Sequence, residues 1–121
     1  MTAQEIPTTA AELREHVVKM QRQYGLPQDH AEDQEMVIDA AESAVKGWKR
    51  LGEFIDPIYV RNIHGALWVI EDIRAYDDDP DGGMAWTCGP LAGWVDSGYA
   101  ASKDFYARLA DAKQAAAELS A

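Results

Sequence analysis

Asp56-Pro57-Ile58-Tyr59-Val60-Arg61-Asn62-Ile63-His64-Gly65-Ala66-Leu67-Trp68-Val69-Ile70-Glu71-Asp72-Ile73-Arg74-Ala75-Tyr76 is the stretch whose reading decides the fold. Asp56-Pro57 supplies a capping carboxylate and then a proline at the first helical position, where its missing N–H costs nothing. Behind it, Tyr59, Ile63, Ala66, Leu67, Ile70 and Ile73 recur at helical spacing. A strand through Leu67 to Tyr76 would send Glu71 and Asp72 to opposite faces and break both, so the spacing predicts a helix. Against it stand the β-formers Ile58, Tyr59, Val60, Trp68, Val69 and Ile70 and the interrupting Gly65. The alternative is therefore a strand pair turning near His64-Gly65.

Toward the N-terminus the signals are helical. Thr9-Ala10-Ala11-Glu12 has the form of a capping box, in which Thr9 and Glu12 each satisfy a backbone donor left free in the first turn. Leu13, Val17, Met20 and Tyr24 then fall on one stripe, and Gly25 and Pro27 end the segment, giving a first helix over 10–24. Asp29 with Glu32 repeats the capping logic. Val37, Ala41, Ala44, Trp48 and Leu51 extend a second apolar stripe, predicting a helix over 30–50.

Toward the C-terminus, 77–83 is an acidic turn. Residues 84–99 mix Trp86, Trp94 and Tyr99 with Gly89-Pro90, Gly93 and Gly98 in no clear period. Phe105, Leu109, Ala112, Ala116 and Leu119 return to helical spacing, with Ser97 or Ser102 as cap. The resulting expectation is a mainly α, single-domain chain over 1–121. It has four helices and a long aromatic-rich connection between helices 3 and 4, the alternative being an α+β fold with two or three strands within 58–88.

Composition bounds the function. The 121 residues are 47% hydrophobic and 26% charged, as in a folded single domain. Lys and Arg number 11 against 21 Asp and Glu, a net charge of −10, which argues against direct nucleic-acid binding. Met1 to Pro7 lacks the basic lead and apolar run of a signal peptide, and the longest apolar run, Ala66 to Ile70, is far short of the roughly 20 residues that span a bilayer. Cys88 is the only cysteine, so no intrachain disulfide forms and a cytoplasmic setting is expected.

The excess charge is clustered. Glu32, Glu35, Asp39 and Glu42 lie at spacings of three, four and three, one acidic stripe with no Lys or Arg between Gln28 and Val45. Glu71, Asp72, Asp77, Asp78, Asp79 and Asp81 form a second group, relieved only by Arg74. In it Asp77-x-Asp79-x-Asp81-Gly82 has the first half of a calcium loop, but Pro80 intrudes and Cys88 occupies the place of the closing glutamate. Trp68 falls on the polar side of the predicted third helix, as an anchor for a partner or a ring that the aromatic connection covers. His16, His30 and His64 are not at paired-ligand spacing. No nucleophile elbow or phosphate loop is present either.

Asp39-Ala-Ala-Glu42 followed by Glu71 resembles the paired acidic motifs of the MazG-type nucleoside triphosphate pyrophosphohydrolases. That resemblance implies an all-α fold and Mg²⁺ held between two helices. The chain departs from the pattern at Arg74, where a guanidinium takes the place of the closing acid and repels a divalent ion.

Read from its residues, the chain is a non-catalytic acidic interaction protein without a cofactor or metal. Its expected partner is a protein with a basic surface, engaged as an inhibitor that mimics nucleic-acid charge. The expected partner-binding residues are Glu32, Glu35, Asp39, Glu42, Trp68, Glu71, Asp72, Asp77, Asp79 and Asp81. The alternatives are the Mg²⁺-dependent pyrophosphohydrolase and a structural or assembly subunit that self-associates.

Overall fold

The computed structural model describes residues 9–52, 58–72, 85–97 and 105–119. Helices α1 (Ala10–Tyr24) and α2 (Gln28–Ser43) come first. Strands β1 (Lys49–Leu51), β2 (Ile58–Ile63), β3 (Ala66–Asp72) and β4 (Trp86–Pro90) follow, then helix α3 (Leu91–Ser97), strand β5 (Phe105–Tyr106) and helix α4 (Leu109–Leu119). The strands form one antiparallel sheet in chain order, β1-β2-β3-β4-β5.

The first helix forms as its sequence dictates. Thr9 and Glu12 make the reciprocal capping box, and Gly25 closes the helix in the left-handed conformation at φ 67°. The second helix starts earlier than the Asp29 cap implies: Pro27 is the cap, and its carbonyl accepts from Ala31 N at 3.0 Å. It also stops at Ser43 instead of continuing to residue 50. Trp48 and Leu51 therefore leave the helical stripe, and Leu51 enters the sheet.

The mainly α, helical-bundle expectation is overturned in the deciding stretch, where the predicted third helix is the β2–β3 hairpin. Ile63 pairs with Ala66, leaving a two-residue turn in which His64 and Gly65 both have positive φ, 54° and 90°. That is the turn whose twist matches antiparallel strands, and Asn62 Oδ1 accepts from Gly65 N at 2.8 Å to hold it. The clash of Glu71 and Asp72 is resolved by burying the first. Glu71 is 6% exposed on one sheet face, while half-buried Asp72 ends the strand on the other, opposite Trp86. The connection of 84–99 is not irregular either, since it supplies β4 and α3. The last helix begins at Leu109, with Phe105 left to β5; the proposed cap Ser102 lies outside the described residues.

Both faces of the sheet are covered, in three layers. Ile58, Val60, Leu67 and Val69 face α1, α2 and α3 and pack with Leu13, Val17, Ile38, Ala41, Leu91 and Val95. Ile70 and Cys88 face α4, where Ala112, Ala115 and Ala116 let the helix approach, and the margin is filled by Trp48, Tyr59, Trp68, Trp86, Tyr106 and Leu109. Tyr59 and Trp86 meet edge to face at 6.1 Å, and Lys113 Nζ sits 5.6 Å from the centre of the Tyr59 ring. Each fully buried aliphatic side chain stabilises the fold by about 1.5–3 kcal/mol relative to exposure. No helix among the described residues is long and apolar enough to cross a membrane.

Candidate interaction surface on the second helix

The α2 sequence turns one side inward, through Ala31, Val37, Ile38 and Ala41. Glu32, Glu35, Asp39 and Glu42 are displaced around the helix from that side, and all four are exposed. At 1.5 Å per residue the stripe runs about 15 Å. Acids near the start of α2 also lie at the positive end of the helix dipole, which favours them there.

Arg14 divides the stripe into two halves. Reaching across from α1, its guanidinium binds Asp39 Oδ1 and Glu42 Oε1, the latter at 2.8 Å. These contacts, with Glu42 the larger influence and Asp39 next, raise the Arg14 pKa above its ordinary value. All three side chains stay substantially exposed, so the pairs contribute at most about 1 kcal/mol. Glu32 accepts from Gln28 Nε2 at 3.1 Å, and Glu35 points to solvent beside Met36, an exposed apolar side chain. No spacing rule links Arg14 to residues 25 and 28 positions away, so the chain alone carried no signal of this neutralisation. Met36 was legible in principle, since it falls off the Val37/Ala41 stripe.

The other expected site residues are not gathered onto this surface. Trp68 is half-buried on the α4 side of β3, opposite Arg61, and its Nε1 is buried without an acceptor. Glu71 lies in the opposite layer, beneath the helices and between Ile58 and Thr87 in the register. Asp72 is on the Trp68 face at the far end of the strand. Asp77, Asp79 and Asp81, with the calcium-like loop and Arg74, lie outside the described residues.

The arrangement implied by the pyrophosphohydrolase resemblance is not this chain's arrangement. Asp39 and Glu42 are on a helix, but Glu71 is on a buried strand rather than on a second facing helix. Among the described residues no group of three or more His, Cys, Asp or Glu side chains converges to hold a metal ion. Cys88 is buried against α4. Compared with protein-family models, curated proteins and solved structures, the chain matches none of them.

Proposed function

We propose that this protein is a non-catalytic binding protein that engages a basic macromolecular partner through the carboxylates of α2. The observation that carries the reading is the exposure of Glu32, Glu35, Asp39 and Glu42 along one helix that itself contains no Lys or Arg. Opposite charge on the partner lowers the free energy of encounter and fixes its register.

The charge density favours a nucleic-acid-binding protein as the partner. Glu32, Glu35, Asp39 and Glu42 share one stripe about 15 Å long, about 5 Å per carboxylate, in which Asp39 and Glu42 are paired with Arg14. A nucleic-acid strand carries about one phosphate per 3.4 Å. A surface built to bind a strand would meet a row of like charge at wider spacing on α2, with Glu32 and Glu35 outside the Arg14 pairs, so the protein would act by occupying that surface.

The test is a pull-down from host lysate with the wild type beside a variant carrying E32Q, E35Q, D39N and E42Q. The expected result is a basic nucleic-acid-binding protein that only the wild type retains and that free nucleic acid displaces. Equal capture by both proteins overturns the proposal.

A further inference from the structure

Three of the chain's 11 basic residues lie at one sheet edge. Lys46, Lys49 and Arg50 fall within five positions, all exposed, and none forms an ion pair among the described residues. They flank and compose β1, whose sole strand partner among the described residues is β2.

The backbone of β1 offers an open hydrogen-bonding position at Arg50. In the two-residue hairpin, Ile63 and Ala66 exchange bonds, so alternate β2 residues Ile63, Arg61 and Tyr59 turn their backbone groups to β3. Ile58, Val60 and Asn62 therefore turn theirs to the other side, as the bond from Asn62 N to Ala44 O at 2.9 Å demonstrates. Their β1 partners Leu51 and Lys49 face inward, which leaves the N–H and C=O of Arg50 directed outward.

The two sides of this edge differ chemically. Toward the helices, Met36, Val37, Ala40, Ser43 and Leu51 line a groove of about 360 Å³ between α2 and β1, with one acid, Asp39, and one base, Lys49, at its wall. On the opposite face is the Arg50 side chain. Arg61, two residues beyond Arg50's partner Tyr59, adds a cation there, and its Nε is buried without an acceptor.

We infer that the β1 edge is a docking site for an extended acidic segment of another protein, added as a strand beside Arg50. Its alternate side chains are apolar, entering the α2–β1 groove, and acidic, meeting Arg50 and Arg61. Charge selects this occupant over a second copy of the chain, because two β1 edges joined at their outward-directed residue would set Arg50 against Arg50. This site shares the α2 wall and Asp39 with the surface proposed above but differs from it in the sign of the partner's charge and in its use of the β1 backbone.

The probe is a fluorescent, acetylated peptide of about eight residues alternating glutamate and valine, long enough for one strand. A lysine-for-glutamate version and a version N-methylated at its central backbone nitrogens are the controls. Wild type binds the glutamate peptide at least about tenfold tighter than either control, the sum of two or three cross-strand pairs and lost main-chain bonds. R50P removes the outward N–H while sparing the β1–β2 ladder and weakens binding by a similar factor. A40E, which fills the groove and leaves Arg50 intact, does the same, so the result does not depend on one variant folding. Equal affinity for the glutamate and lysine peptides overturns the inference. So does full binding by folded R50P, or a wild type whose edge is already occupied by self-association.

Discussion

The two sides of the sheet are built from different materials. Toward α1, α2 and α3 the core is aliphatic, with Leu13, Val17, Ile38, Val60, Leu67, Val69 and Leu91 all at most 1% exposed. Toward α4 it is aromatic at the margin and alanine-rich on the helix, with Ile70 and Cys88 beneath. Interdigitated aliphatic side chains lose many contacts when one is shortened, whereas a small-residue helix seated close to a sheet has little room for a longer side chain. The first side therefore responds most to deletion and the second to enlargement.

The largest expected effect is on the aliphatic side. Ile38→Ala removes three carbons from a fully buried α2 position and lowers stability by about 3–4 kcal/mol, measured by urea unfolding. On the alanine side, Ala116→Leu forces α4 away from Ile70 and Cys88 and costs about 1–3 kcal/mol. A stabilising Ala116→Leu would mean that α4 sits over a void, and the contrast would fail. Smaller again is Thr9→Ala, which breaks the α1 capping box for about 1 kcal/mol. In thermal melts it exceeds the effect of Arg108→Ala, which removes only the exposed pair with Asp111 near the start of α4.

The same contrast explains what the sequence could and could not show. Helix α1 was legible to its ends because each boundary has a local cause, Thr9 with Glu12 at one and Gly25 at the other. The β2–β3 hairpin was not, because helices cover both sheet faces. Tyr59, Ile70 and Trp68 on one face are as apolar as Val60, Leu67 and Val69 on the other, and the alternation that marks a strand disappears. What remained was β-propensity and His64-Gly65, and both favoured the hairpin. Strand β1 is three residues long and ordered by its register with Ile58 to Val60, a long-range cause that no local pattern carries. In the α2 surface, the carboxylate spacing was readable, while the Arg14 bridge depended on how α1 packs.

The central functional claim is most directly tested at Glu32 and Glu35, exposed carboxylates that leave the Arg14 pairs untouched. The measurement is titration of the captured partner with wild type and with E32K/E35K at several salt concentrations, alongside thermal melts of both proteins. The account predicts that wild-type affinity falls steeply with salt and that the double reversal weakens binding by at least about a hundredfold, roughly 2.7 kcal/mol, while the melting temperature falls by only a few degrees through the lost Gln28–Glu32 contact and the helix dipole. Undiminished, salt-insensitive binding by folded E32K/E35K would contradict it.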